Sequence, residues 1–267
     1  MTITLLALAV LPVIILSIYV YRKDTVEKEP PRMLLKAFLY GMVSVLPAIG
    51  FEMGLSQYEP YTPLFAGLWN GYVVAGFSEE LLKLLLLHAA VWKSREFNEY
   101  FDGIVYSTYV ALGFACVENI GYVFMQDGLT AAVSTGAMRA VLSVPGHFLF
   151  GVVMGYYVAL AKFEPWHKSA CLFKALFFPM LLHGTFDALL MIPEKYADDG
   201  LQMVIAPLLF VVFIWFDVRL WKIGIRRMRR LQECSAMQGE QRAYDETSAQ
   251  EHGPDGRSSL DSLDWNV

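Results

Sequence analysis

Charge is scarce in this 267-residue chain: Asp, Glu, Lys and Arg together make up 18% of it. With 56% hydrophobic residues, 14% aromatic residues and a mean hydropathy of +0.42, that scarcity points to a polytopic membrane protein rather than a soluble domain. Cysteine is scarcer still. Cys116, Cys171 and Cys234 lie far apart with no CxxC or metal-ligand spacing, which excludes a disulfide framework and a thiolate metal site. No basic excess exists either, since the formal net charge is -5, so nothing here has the electrostatic footprint of a nucleic-acid binder. The acidity is local: residues 231–267 carry about -6 and the remainder about +1. No HExxH helix is present, and no serine or cysteine has company comparable to that of the carboxylates and histidines described below, which argues against a covalent nucleophile.

Long apolar runs are what the chain does have. Residues 2–21 suffice to span about 30 Å of hydrocarbon, and without a small-x-small cleavage site before Arg22 and Lys23 they read as an uncleaved anchor. Further runs at 34–55, 64–92, 104–125, 138–161, 170–192 and 201–221 predict an all-α bundle of about seven spans. The second is interrupted by Pro47 and Glu52, and the third is unusually long. Basic residues crowd the loops after spans one, three and five and the segment Arg226–Arg230, which puts the N-terminus outside and the C-terminus in the cytoplasm. The pairs Gly50 and Gly54, Gly67 and Gly71, and Gly151 and Gly155 have the spacing that lets membrane helices approach closely. Residues 1–230 thus form a membrane-embedded domain, with the basic end of the last span at the lipid headgroups. Residues 231–267 read as a disordered acidic tail.

Four of these spans carry ionisable groups where lipid would penalise them. The third contains Glu79, Glu80 and Lys83, the fourth Glu118 with Asn119, the fifth His147, and the sixth His183 with Asp187. A charge at the bilayer centre costs roughly 2.5–3.5 kcal/mol on insertion scales, so such groups face a protein interior and pair there. Lys83 is placed to reach both carboxylates at i+4 and i+3, and His183 and Asp187 share a face at i and i+4. Counted from the basic end of each span, or from Asp102 in the fourth, Glu79 is 14 residues in, Glu118 is 16, and His147 and His183 are each 15. At 1.5 Å per residue these depths agree, at roughly 21–24 Å. One level shared by four helices is the arrangement of a site rather than of scattered structural ion pairs. Its inventory suits a carboxylate acting as general base on water. It suits equally a metal held by His147, His183 and Glu79 or Glu118, with zinc the natural occupant. A proton- or ion-coupled transporter and a non-catalytic membrane scaffold are the competing readings, the former weakened by the lack of any internal repeat.

The motifs Glu79-Glu80 with Lys83 (EExxK), Phe114 with Glu118 (FxxxE) and His183 with Asp187 (HxxxD), on successive helices within residues 64–192, resemble the PrsW intramembrane proteases. Those belong to a clan that includes the CAAX endopeptidases and Abi proteins. Asp102-Gly103, Asn119, and Arg139 with His147 share the likeness. The resemblance implies an integral protein of a bacterial inner membrane that cleaves a single-pass membrane protein, typified by the first cut of an anti-sigma factor. On that reading Glu79 or Glu80 activates water, Glu118 and His147 help hold it, and His183, oriented by Asp187, stabilises the oxyanion. Lys83, Asn119 and Arg139 support them. The clan's CAAX members have a His where Glu118 stands, so their mechanism carries over by analogy alone.

Overall fold

The computed structural model describes residues 2–197 and 200–252. Among these the chain is helical, with no strand. The helices are α1 (Thr2–Lys23), α2 (Pro31–Ser56), α3 (Pro63–Trp69), a π-helical segment (Asn70–Phe77), α4 (Ser78–Val91), α5 (Asp102–Phe124), α6 (Leu129–Val141), α7 (Ser143–Phe163), α8 (Lys168–Glu194) and α9 (Gln202–His252), with a 3-10 turn at Pro165–His167. Six stretches are long and apolar enough to cross a membrane: α1, α2, α5, α6 with α7, the turn with α8, and α9. The seventh expected span is the rod formed by α3, the π segment and α4. Its backbone stays helical across both junctions, at Asn70 (φ -64°, ψ -44°) and at Ser78 (φ -61°, ψ -48°). Pro47 and Glu52 do not break α2, whose helix runs through both. The fifth span starts with a break at Leu142, and α6 before it is a separate short helix that the apolar run alone did not indicate.

α5 is the central helix, packed against α1, α2, α4, α6 and α7. It is buried around nearly its whole circumference, which matches its lack of any polar face. α1, α2 and α9 instead expose large apolar side chains such as Leu11, Leu46 and Val211. With lipid on the outside, helices gain little from hydrophobic burial against one another and must associate by close packing and hydrogen bonds. Two of the three glycine pairs do this. At Gly151 a Cβ would meet Ala111 Cβ of α5 at 2.9 Å, and at Gly71 one would meet the Ala188 nitrogen of α8 at 2.7 Å. A Cβ at Gly50 or Gly54 would meet nothing within 4 Å among the described residues, so that pair marks no close helix approach here.

The expected disorder after Leu231 does not hold for residues 231–252, which continue α9 as helix; 253–267 lie outside the described residues. The inner face of α9 runs Phe213, Leu220, Gly224, Met228, Leu231, Ser235, all buried. Beyond the apolar part it is held by polar contacts: Ser235 Oγ accepts the Phe101 N–H at 2.9 Å, and Gln238 and Arg242 both donate to the Asn98 carbonyl.

Those contacts adjoin a buried acidic cluster at the same end of the bundle. Asp24 and Glu29 come from the α1–α2 loop, Glu99 from the loop before α5, and Asp102 opens α5; all four are at most 4% exposed. Asp102 Oδ2 accepts the N–H groups of Asn98 (2.9 Å) and Glu99 (2.6 Å), and Tyr106 donates its hydroxyl to Glu29. Lys28 turns its ammonium to the main-chain carbonyls of Tyr21 and Asp24 instead of into the cluster. Burial, reinforced by the Asp102 carboxylate beside it, pushes Glu29 up to about 10. Burial likewise lifts Asp24 to about 6 and Glu99 to about 7. Each folded-state value lies above the ordinary one, so the folded chain retains protons that the unfolded chain has released. This contribution is complete below about pH 4 and declines as pH rises through the raised values. Glu29→Gln keeps the shape and the hydrogen bonds of the protonated acid and removes its part of the decline. Thermal melts should show the variant equal to wild type at pH 4 and higher at pH 8 by on the order of 2–4 °C. A difference that is the same at both pH values would contradict the assignment.

Candidate active site

The π segment delivers Glu79 and Glu80 to the interior. It ends at Phe77, directly before α4, and the carboxylates occupy the first turn after it. An i→i+5 stretch of this kind recurs next to functional residues. Lys83, one turn further on, donates to Glu79 Oε2 and to Glu80 Oε1, both at 2.9 Å. Its side chain is 1% exposed, and its ammonium also sits 4.0 Å from the centre of the Phe114 ring.

The remaining groups arrive from three other helices. His147 on α7 sets Nδ1 3.1 Å from the Lys83 ammonium and Nε2 2.7 Å from Glu118 Oε2 of α5. A carboxylate accepts and an ammonium donates, so the Nε2–H points to Glu118 and the Nδ1 lone pair points inward. His183 on α8 is also held at both nitrogens, but there both partners are carboxylates, to which its N–H groups donate. Its Nδ1 meets Glu80 Oε1 at 2.9 Å, its Nε2 meets Asp187 Oδ2 at 3.2 Å, and Phe150 stacks on its ring at 4.7 Å. Glu118 is also paired with Arg139, 2.9 Å away at the end of α6. Arg139 in turn donates from Nε to Asn119 Oδ1 at 3.0 Å, and Asn119 reaches the Ala9 carbonyl of α1 at 2.7 Å.

Every residue assigned above a catalytic, ligand or supporting role therefore falls in one connected cluster, in two layers, whereas Asp102 belongs to the separate acidic cluster. Glu79, Glu80, His147 and His183 each turn one donor atom inward, and those atoms lie within 4.8 Å of one another. Glu118 and Asp187 stand behind the two imidazoles, and Arg139 and Asn119 stand behind Glu118. The inner set thus contains Glu80 where spacing had offered Glu118 as a metal ligand, because the rotation of α5 aims Glu118 at the far nitrogen of His147. One oxygen of the inner set, Glu80 Oε2, is buried without a hydrogen-bond partner among the described residues. Phe150 and Glu52 were not identified in advance as part of the site. Phe150 follows His147 by three positions and meets its ring edge-on at 6.0 Å, but it stacks on His183 across helices. Glu52, half-buried on α2, lies within the field of Glu118, Lys83, His183 and Asp187, although in sequence it is only an interruption of an apolar run.

Residues 29–216 match the family described as PrsW family intramembrane metalloprotease. The chain is 37% identical over 235 residues to Protease PrsW of Clostridioides difficile (strain 630), covering 86% of this chain and 92% of that one. It is 32% identical over 235 residues to Protease PrsW of Bacillus subtilis (strain 168), covering 88% and 98%, and 30% identical over 230 residues to Protease PrsW of Oceanobacillus iheyensis, covering 86% and 97%. No solved structure matches. With six membrane-spanning candidates and one buried cluster of carboxylates and imidazoles, the chain belongs to the PrsW family of intramembrane metalloproteases and is a multi-pass integral membrane protease.

Proposed function

We propose that the Glu79, Glu80, His147 and His183 cluster hydrolyses a peptide bond of a membrane-anchored protein by activated water. The supporting observation is that both imidazoles turn Nδ1 inward and have Nε2 backed by a carboxylate, Glu118 for His147 and Asp187 for His183. Carboxylate-backed histidines of this form are the usual companions of a bound metal. Two imidazoles and two carboxylates with donor atoms within 4.8 Å fit zinc: His147, His183 and Glu80 would hold it with a fourth position left for water, and Glu79 would stand beside that position. When bound, the ion would lower the pKa of water and polarise the scissile carbonyl. Glu79, whose side chain is 7% exposed against 1% for Glu80, is placed to accept the proton from the attacking water. Glu80 is enclosed by Lys83 and His183 and holds the His183 ring in place. Glu118 and Arg139 fix His147 from behind.

The basic helix ends face the cytoplasm in this reading, so the cluster lies in the outer half of the bilayer and the cut falls near the outer membrane boundary. A single-span anti-sigma factor is the expected substrate class. The test is the full chain in liposomes with single-span substrates, one of the anti-sigma type among them. Cleavage is expected, with chelation abolishing it and zinc restoring it, and with His147→Ala and His183→Ala each losing bound metal as well as activity. Cleavage that resists chelators in protein free of metal would overturn the metal assignment. Failure to cut any single-span substrate would overturn the proteolytic one.

A further inference from the structure

The two sides of the cluster come from different helices, Glu79 and Glu80 from α4 and His183 and Asp187 from α8. Their mutual position depends on how the π segment seats on α8, and two residues that are not fixed positions of any motif govern that seating. The Tyr72 ring lies directly on Gly184, where a Cβ would overlap the ring and would stand 2.8 Å from Tyr72 Cα. Past the ring edge, the Tyr72 hydroxyl meets Thr185 Oγ1 at 2.7 Å. Thr185 has one hydroxyl hydrogen, and it goes to the Leu181 carbonyl at 2.7 Å. Thr185 therefore accepts from Tyr72, and the chain of donation runs from the π segment into the backbone of α8. Gly71 makes the adjoining contact, since a Cβ there would stand 2.8 Å from the Gly184 carbonyl oxygen. Thr185 lies between His183 and Asp187, so the bond ends on the turn that carries both.

We propose that Tyr72 and Thr185 are positioning residues: their hydrogen bond locks the π segment against the His183–Asp187 turn and thereby keeps the Glu79 and Glu80 carboxylates in register with the imidazole. The inference rests on the proteolytic reading of the cluster. A π turn is a poorer backbone arrangement than an α turn and persists where tertiary contacts select it. Hydrogen bonds between membrane helices are individually modest, so losing one shifts the register of reacting groups without unfolding the bundle. Misplacement on that scale acts on turnover rather than on substrate capture.

The test compares Tyr72→Phe, Thr185→Val, the double variant and Thr185→Ser in the full chain, reconstituted with a single-span substrate. Tyr72→Phe and Thr185→Val should each lower kcat by roughly three- to twentyfold with KM held within about twofold. The double variant should be no worse than the weaker single one, and Thr185→Ser, which restores the acceptor, should recover most of the loss. Effects that multiply in the double variant, or a change in KM alone, would overturn the proposal. A second readout is independent of cleavage: the His183 ring nitrogens, followed by 15N NMR of histidine-labelled protein, should shift in Tyr72→Phe and Thr185→Val and return in Thr185→Ser. An unchanged spectrum overturns the clamp whether or not a substrate is cut, whereas a wild-type protein that cuts nothing overturns the proteolytic reading alone.

Discussion

Glu79→Gln should lower cleavage of a single-span substrate by about 10²–10⁴-fold, the usual contribution of a positioned general base, while leaving the fold intact. The amide keeps the size of the acid and can still accept from Lys83 at the oxygen that now lies 2.9 Å away. What it loses is the capacity to take a proton. Glu80→Gln should fall as far in activity for a different reason. Glu80 Oε1 accepts from Lys83 and from His183 Nδ1 at once, and a neutral amide weakens both bonds. Its loss should therefore appear also as a lower melting temperature, which Glu79→Gln should not show. Initial rates in liposomes together with thermal melts of both proteins separate the two roles. Either variant cutting within tenfold of wild type would remove that carboxylate from the proposed chemistry.

The second large effect is on stability. Lys83→Met removes the cation that Glu79, Glu80 and His147 share and leaves the two carboxylates with His183 to offset them, no other ammonium lying in bonding distance among the described residues. Breaking a buried ion pair by deleting one partner costs about 3–5 kcal/mol, a large part of what holds a domain together. The variant should lose most of its folded, monodisperse yield. The triple variant Lys83→Met, Glu79→Gln, Glu80→Gln deletes the charges together and should recover the fold, since a buried pair replaced by neutral groups of similar volume is close to neutral overall. Denaturation of the three proteins in one detergent measures the difference. Lys83→Met as stable as wild type would mean that the ammonium is not what neutralises the pair.

Both expectations begin from residues visible in the one-dimensional chain, and the reason is lipid. An apolar solvent makes each charged side chain conspicuous and each span countable, so the common depth of Glu79, Glu118, His147 and His183 could be estimated from their distances to the helix ends. Rotation about the helix axis could not. Whether Glu118 points at the centre or at the back of His147 depends on how α5 turns against α7, and no spacing records it. The π segment was hidden for a similar reason, because Asn70–Phe77 is as apolar as an ordinary span and its altered hydrogen bonding leaves no compositional mark. The outer half of α9 was hidden by its chemistry. Its inner positions after Leu231 are Ser235, Gln238 and Arg242, which satisfy backbone groups of Phe101 and Asn98, so the helical period continues there without any hydrophobic signal.

The stretch between Trp69 and Glu79 also acts as an angular setting. Each residue of an α-helix advances the direction of the next side chain by about 100°, and the wider turns of Asn70–Phe77 advance it by less. Relaxing the rod to an ordinary helix at unchanged length would swing Glu79, Glu80 and Lys83 as a rigid set off the side that faces His147 and His183. Every motif residue would still be present, the ion pairs internal to α4 would survive, and the bundle would keep its spans. Removing one residue at the same time would bring the set nearly back, because seven residues at about 100° turn about as far as the eight of Asn70–Phe77 at their smaller step. Among chains that keep EExxK and HxxxD, a one-residue gap aligned within this stretch therefore marks a straightened rod with its centre intact, whereas an ordinary helix of unchanged length there marks a rearranged one.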